Sequence, residues 1–182
     1  MGEAMLEIVG EDPGEATGGD HHAWVEGLFT ARYGELVGLA ALILADRAAA
    51  EDVVQDVFAA LYRRSRPLDD PSGVAGYLRR SVVNGARSHL RHRAVERRWR
   101  AAPAPPGDHS PEEAVVIGDD TRAVAAAVAR LPVRQRECVA CAYQLDLTHA
   151  ETAAVLGISV GSVKTHLHRA TRRLVRLLED RR

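Results

Sequence analysis

The sequence predicts an all-α protein made of two small helical domains joined by a flexible acidic linker. Apolar residues recur at helical spacing over most of the chain. They are mainly Ala, Val and Leu, with only 4% aromatic residues, and this composition favours helices over sheets. A stretch rich in Pro and Ala, residues 101–118, divides the periodic segments into two groups.

The length of 182 residues is compatible with two small domains. Four segments are expected along the chain: a disordered acidic tail over residues 1–22, a first helical domain over 23–100, the linker over 101–118 and a second helical domain over 119–182.

The first domain should contain three helical segments. Residues 24–44 fit one or two helices, with an interruption near Gly34. Residues 48–64 carry an apolar stripe at i, i+3, i+4 spacing and predict the next helix. Residues 65–72, with two Pro and two Asp, predict a loop. A long Arg-rich helix is expected over 74–100.

The second domain begins with a short helix that ends at Pro132, a residue that also suits the first turn of the next helix, 133–143. Thr148 and Glu151 have the spacing of a capping box and predict the start of a third helix. Gly157 ends that helix.

The segment 148–173 reads as helix, tight turn, helix, which is the helix-turn-helix pattern. Ser159 is suited to cap its second helix. The outer face of that helix would meet base edges in the major groove, and the residues further along it would meet phosphates. The expected DNA-binding residues are Ser162, Lys164, Thr165, His168, Arg169, Arg172 and Arg173.

The charge is distributed in blocks, although the formal net charge is only −1. Residues 1–22 carry six acids and no Lys or Arg, and residues 101–121 carry five acids and no Lys or Arg. Residues 63–100 have net charge +8, and residues 161–182 have net charge +5. Such alternation indicates contact with a polyanion at the two basic blocks.

Other classes of function have little support. Two Cys residues are too few for a disulfide framework, so a cytoplasmic location is expected. No membrane insertion, signal peptide, metal, cofactor or catalytic machinery is expected. Cys138 and Cys141 form C-x-x-C, which favours core packing here, although a redox or metal sensor stays open as an alternative.

Three motifs together resemble the sigma-70 family of bacterial sigma factors, in its extracytoplasmic-function (ECF) group. Residues 131–174 are similar to the family's region 4. Residues 50–64, AEDVVQDVFAALYRR, resemble a helix of its region 2, and residues 76–93 resemble the promoter-reading helix that follows. Tyr77 stands where the family commonly has Trp.

The resemblance implies specific roles for these residues. Core RNA polymerase would be bound through its β′ clamp helices by Asp52, Gln55 and Asp56, and through its β flap by the second domain. The melted non-template strand and adjoining duplex at the minus-ten element would be read by Asp69, Asp70, Tyr77, Arg80, Asn84, Arg87 and Arg91. The minus-thirty-five element would be read by the helix-turn-helix residues given above. An anti-sigma factor is a further expected partner.

The alternative is a stand-alone helix-turn-helix regulator, which would dimerise on a palindromic site. Such a regulator has no need of a clamp-docking helix. Residues 48–64 therefore discriminate between the two interpretations.

Overall fold

The computed structural model describes residues 18–64, 73–99 and 119–180 and forms seven α-helices and no strand within them. The predicted all-helical fold class is confirmed. The helices are α1 (Gly18–Leu44), α2 (Arg47–Tyr62), α3 (Val74–Trp99), α4 (Asp119–Ala129), α5 (Val133–Val139), α6 (His149–Leu156) and α7 (Val160–Glu179), with one π-helical turn over Ala140–Gln144. Residues 1–17, the predicted loop at 65–72 and the linker at 101–118 lie outside the described residues.

Helix α1 runs through Gly34 without interruption, so the predicted break at this glycine is wrong. Gly in a helix interior costs about 1 kcal/mol relative to Ala. That cost is offset by burial of the following turns, because Leu36, Leu39 and Ile43 are at most 1% exposed. Tertiary packing therefore overrides the local preference for a break.

The start of α1 also differs from the prediction, since residues 18–22 were expected to belong to the disordered tail and are helical. Two histidines attach this end of the helix to the end of α2. His21 Nε2 lies 3.2 Å from the carbonyl oxygen of Leu61, and the His22 ring stacks on Tyr62 with centroids 4.0 Å apart. These contacts supply partners that the local sequence does not reveal.

Helices α1, α2 and α3 form the first bundle. The side chain of Asp46 accepts a hydrogen bond from the backbone N–H of Ala49 at 3.1 Å and so caps the start of α2. Helices α2 and α3 approach closely at Gly85, where a Cβ would lie 2.8 Å from Val53 Cγ1. A glycine is therefore required at this crossing.

The second group comprises α4 to α7. The predicted helix 133–143 divides into α5 and the π-helical turn, where the N–H of Leu145 donates to the carbonyl of Ala140 at 3.3 Å. The wider turn is a local departure from α-helical geometry that periodicity does not predict.

The two groups share one continuous apolar core, which includes Leu39 from the first and Leu131 and Val139 from the second. Helix α1 contacts α4, α5 and the π-helical turn, and α3 contacts α6. At the point where α1 meets the turn, a Cβ on Gly38 would lie 2.9 Å from Nε2 of Gln144. The two predicted domains thus pack against each other in this structure.

Residues His21–Leu44 of α1 are long and apolar enough, by length and composition, to cross a membrane. The core helix of a soluble protein passes the same test. The second half of α1 supplies several fully buried residues of the core described above, so this half of the helix packs inside the protein.

Substitution by Ala at two glycines near the α6–α7 turn should change the free energy of unfolding in opposite directions. Gly157 has φ of 67°, in the left-handed region, so Gly157→Ala should lower the free energy of unfolding by about 1 kcal/mol. Gly161 is in the first turn of α7, and a Cβ there meets only Ser159 Oγ at 3.9 Å. Gly161→Ala should therefore raise stability by about 0.5 kcal/mol in urea unfolding. Equal effects of the two substitutions would contradict the assigned turn geometry.

Candidate nucleic-acid interface

Helices α6 and α7 form a helix-turn-helix with a side-chain cap at the start of each helix. The Thr148 hydroxyl accepts from the N–H of Glu151 at 3.2 Å, and the Glu151 carboxylate accepts from the N–H of Thr148 at 2.8 Å. These bonds to Thr148 lower the pKa of Glu151. Gly157 adopts the left-handed conformation, and Ser159 Oγ accepts from the N–H of Ser162 at 3.1 Å. The predicted capping box is present.

Helix α7 is strongly amphipathic. Its inner face is buried in the second group through Val163, Leu167, Ala170 and Leu177. Its outer face carries the predicted DNA-binding side chains. Ser162 is half-buried, and the other six are exposed: Lys164, Thr165, His168, Arg169, Arg172 and Arg173. One face of α7 therefore presents four cationic residues and two further polar residues to solvent at positions suited to a DNA groove.

Helix α3 presents the second predicted set less uniformly. Asn84 and Arg91 are exposed, and Tyr77 is half-buried. The Tyr77 hydroxyl accepts from Arg64 Nη1 at 3.3 Å, and the Arg64 guanidinium lies 5.6 Å from the Tyr77 ring centroid. Arg64 is thus part of this surface, although the sequence analysis did not single it out. The predicted site residues Asp69 and Asp70 lie outside the described residues.

Several arginines of α3 are paired with acids outside that helix. The net charge of +8 over residues 63–100 counts only the acids inside that block, but the partners of these arginines come from outside it. The pairs and their nitrogen–oxygen distances are Arg79–Glu35 at 2.7 Å, Arg93–Asp46 at 3.3 Å and Arg87–Glu137 at 2.8 Å. Charge counting along the chain could not predict these long-range pairs.

Glu35 illustrates how such a pair is maintained. Partial burial opposes ionisation of its carboxyl group, yet hydrogen bonds from Arg79 and Arg32 outweigh that effect and hold its pKa below the usual value. The ion pair ties α3 to α1 within the first bundle. Arg79 is therefore a structural residue of that bundle in this arrangement.

Arg87 and Arg80 reach from α3 to the second group. Arg87 binds Glu137 with two nitrogens, Nε to Oε1 at 2.8 Å and Nη2 to Oε2 at 2.9 Å, and also contacts the Leu156 carbonyl at 3.2 Å. Hydrogen bonding to Glu137 raises the pKa of Arg87. Arg80 donates to the carbonyl of Ala154 at 2.7 Å. Two residues predicted to bind DNA therefore bind the helix-turn-helix group here.

The predicted docking face of α2 lies on the surface. Asp52, Gln55 and Asp56 are exposed, while Val54 and Phe58 are buried on the opposite side of the helix. The apolar stripe therefore packs inward as expected, and the polar side chains of α2 face solvent together.

A groove of about 380 Å³ lies along the surface where α2 and α3 meet. Asp56 lines it from α2, and Tyr77, His89 and His92 line it from α3. The docking face and the Arg-rich helix thus border the same depression.

Cys138 and Cys141 are free thiols and fully buried. Burial raises the pKa of Cys138 to about 11 and that of Cys141 to about 12. A high pKa leaves the thiols protonated and poorly nucleophilic, as expected for core packing. Within residues 18–64, 73–99 and 119–180, no group of three or more His, Cys, Asp or Glu is arranged to hold a metal ion.

Family models match both halves of the chain. The model described as Sigma-70 region 2 matches residues 28–96, and the model described as Sigma-70, region 4 matches residues 121–174. The first match covers most of α1 to α3, and the second covers most of α4 to α7.

Relatives resemble the chain over most of its length. It is 32% identical to the ECF RNA polymerase sigma factor SigM of Mycobacterium tuberculosis, over 88% of this chain and 79% of the relative. It is 31% identical to the RNA polymerase sigma-E factor of Streptomyces coelicolor, over 79% of each chain. Among solved structures, the sigma factor RpoE in complex with the anti-sigma factor NepR from Bartonella quintana shares the fold, with a TM-score of 0.70, 22% identity and coverage of 86% of this chain and 98% of that one.

The two thiols should be protected in the native protein. Since pKa values near 11 and 12 lie about two units or more above the ordinary value of 9.0, the native thiolate fraction at pH 8 is about a hundredfold lower than in the unfolded chain. Alkylation by iodoacetamide at pH 8 should be slower by at least that factor than in denaturant, and it should still accelerate as the pH rises past 9. Rapid native alkylation at pH 8 would contradict core packing and favour the redox alternative.

Proposed function

The chain belongs to the sigma-70 family, in its ECF group of promoter-directing sigma factors, and from this membership we propose which surfaces bind polymerase and DNA. Sigma factors are non-enzymatic initiation factors, so binding alone has to account for the activity. The observation that carries the proposal is the exposed basic face of α7 in a capped helix-turn-helix.

Helix α7 reads the minus-thirty-five element in the major groove. Lys164 and Arg169 suit guanine O6 and N7, and Thr165 suits a base edge or a thymine methyl group. His168 and Ser162 border the same surface. Arg172 and Arg173 lie about two turns beyond Lys164 on the same helix. Contacts from them to phosphates would fix the position of α7 along the duplex.

Helix α3 binds the minus-ten element and the melted non-template strand. Asn84 and Arg91 are exposed for this role, and Tyr77 with Arg64 offers an aromatic and cationic pair on which an unstacked base can rest. Arg80 is exposed and engages the second group through Nη2 alone, so it belongs to the same surface, and Arg87 joins that surface once released from Glu137. Asp69 and Asp70 would contact base edges of the captured strand rather than its phosphates.

Helix α2 docks on the β′ clamp helices of core RNA polymerase through Asp52, Gln55 and Asp56. Their shared exposure on one helix supports this role. The second domain contacts the β flap, and the acidic linker at 101–118 runs through channels of polymerase that otherwise hold nucleic acid.

An anti-sigma factor is the proposed negative regulator, and the cytoplasm is the proposed site of action. The sigma factor RpoE, which shares this fold, is solved in complex with the anti-sigma factor NepR, and CnrH, of similar fold, is solved in complex with the cytosolic domain of CnrY.

Run-off transcription with core polymerase tests the function and the docking face together. The wild-type chain should produce discrete start sites from a genomic promoter library. Asp52→Arg with Asp56→Arg should abolish both co-purification with core polymerase and transcription, because charge reversal on the docking face opposes the complementary surface.

The matched control reverses two exposed acids on another helix, at the end of α7 beyond the predicted DNA-binding residues: Glu179→Arg with Asp180→Arg. This control should retain transcription. Retention of polymerase binding in the Asp52 and Asp56 variant would show that α2 does not dock on the clamp.

Lys164→Ala should change sequence preference at one position of the upstream element. Loss of a base contact costs about 1–3 kcal/mol at the base it reads and relaxes discrimination there. Arg172→Ala, a phosphate contact, should weaken all sequences equally and reduce the salt dependence of binding. Competition binding with single-base variants of the mapped promoter measures both. A uniform loss for Lys164→Ala would reassign it to a phosphate.

A further inference from the structure

The start of α1 and the end of α2 bring four aromatic rings together at one edge of the first bundle. The His22 ring stacks on Tyr62 with centroids 4.0 Å apart and 10° between the ring planes. The His21 ring lies 6.0 Å from His22 and stacks against Trp24 at 5.8 Å. Only 4% of the residues are aromatic, so this row concentrates the scarce stacking surface of the chain in one place.

The two histidines of this row have different surroundings. His21 is 7% exposed and its Nε2 lies 3.2 Å from the carbonyl oxygen of Leu61, so the buried histidine holds the two helix ends together. His22 is exposed and Tyr62 is 42% exposed, so their stack lies on the outside of that contact. A parallel pair of rings in water can extend its stack by a third ring, and a nucleic acid base supplies one.

Arginines flank the exposed pair where α2 ends. Arg63 and Arg64 follow Tyr62 directly, and both are exposed. The Arg64 guanidinium lies 5.6 Å from the ring centroid of Tyr77, in the first turn of α3. Stacked rings beside guanidinium groups are the combination with which proteins bind single-stranded nucleic acid, because the rings hold bases and the cations hold the backbone.

The distribution of charge around the pair favours one path for a bound strand. Glu26, one turn after His22 on α1, is an exposed acid and would repel phosphates along that helix. The exposed arginines lie on the other side, at the end of α2, and lead to the first turn of α3. A strand that reaches the pair is therefore favoured to cross from α1 to α3 over the end of α2. This path adjoins the surface proposed above for the melted strand.

Half of the exposed pair lies outside the segment that matches the family model. The match to Sigma-70 region 2 begins at residue 28, whereas His22 belongs to the first turns of α1, which starts at Gly18. Neither His22 nor Tyr62 is among the residues that the sequence predicts to bind the minus-ten element. A role for this pair therefore follows from the contacts of this chain and not from the family match.

We propose that His22 and Tyr62 form a stacking subsite for one base of the melted non-template strand, beside the minus-ten surface of α3. The inference rests on the proposed function of α3 and extends the surface to α1. Arg63 binds a phosphate next to that base. Since every base presents a π face, the subsite adds affinity at one position of the strand without selecting its base.

Three variants test the subsite from the protein side. Tyr62→Ala and His22→Ala each remove one ring of the pair, and the buried contact of His21 stays intact in both. His22→Phe removes the imidazole nitrogens and retains a ring. The matched control is Tyr143→Ala, because Tyr143 is 70% exposed on the second group and its loss removes an exposed ring away from the subsite.

The experiment uses the full-length protein bound to core polymerase and measures its affinity for the non-template strand by fluorescence anisotropy. The strand comes from the mapped promoter and extends beyond the minus-ten element on both sides. Tyr62→Ala and His22→Ala should each weaken binding about tenfold, since one base loses its stacking partner. His22→Phe and Tyr143→Ala should both bind like the wild type.

Abasic scanning tests the subsite from the DNA side. Each nucleotide of the strand in turn is replaced by an abasic one. At one position the difference between wild type and the two ring-deletion variants should fall below about twofold, because the missing ring no longer has a base to stack on. Replacement of that same base by any other base should leave the affinity of the wild type unchanged.

Four results would overturn the subsite. They are full affinity in both ring-deletion variants, an equal difference from the wild type at every abasic position, a loss in His22→Phe as large as in His22→Ala, and weakened co-purification of Tyr62→Ala with core polymerase, which would assign the pair to polymerase. Failure of the wild-type complex to bind the strand would instead contradict the proposed function of α3.

Discussion

The buried carboxylate of Glu137 sets the relation between the two halves of this protein. Burial of an ion costs several kcal/mol unless partners replace its hydration, and here the replacement comes from Arg87 on α3 and Arg134 on α5. Apolar contacts at the same junction stabilise association but are not directional. The bidentate pair supplies direction, because both nitrogens of Arg87 must meet both oxygens of Glu137 at the same time.

Local elements of this fold were predictable from the sequence because they depend on neighbours within a few residues. The capping box at Thr148 and the buried stripe of α7 follow from spacing alone, and the exposed position of Lys164 follows from the same periodicity. The partner of Arg87 was not predictable, since Glu137 lies 50 residues further along the chain and has two arginines beside it in its own short helix. The sequence therefore predicts the features of the site that depend on neighbouring residues. Pairs between distant residues, such as Arg87 and Glu137, are found only from the structure.

Helix α1 shows the same limit for the backbone. Gly34 predicts a break because glycine weakens an isolated helix, and the glycine-rich start predicts disorder. Both local signals are overridden by contacts with distant residues. His21 meets the Leu61 carbonyl 40 residues later, and Leu39 packs in a core that also includes Leu131. The length of α1 is thus determined by contacts with residues distant in the sequence, and these contacts bury the apolar residues of its second half in the core.

The dimensions of a promoter impose a condition on the packed arrangement of the two groups. The minus-ten and minus-thirty-five elements are separated by about 25 base pairs, or about 85 Å of B-DNA at 3.4 Å per pair. A compact chain of 182 residues has a radius of gyration of about 16 Å and a diameter of about 40 Å, so the packed form cannot reach both elements.

The linker at 101–118, fully extended, spans up to about 60 Å, which is enough to separate the groups by the required distance. Reading both elements therefore requires the junction to open, and opening breaks the Arg87–Glu137 pair. Tethering by the linker then keeps the second group near its element after the first has bound.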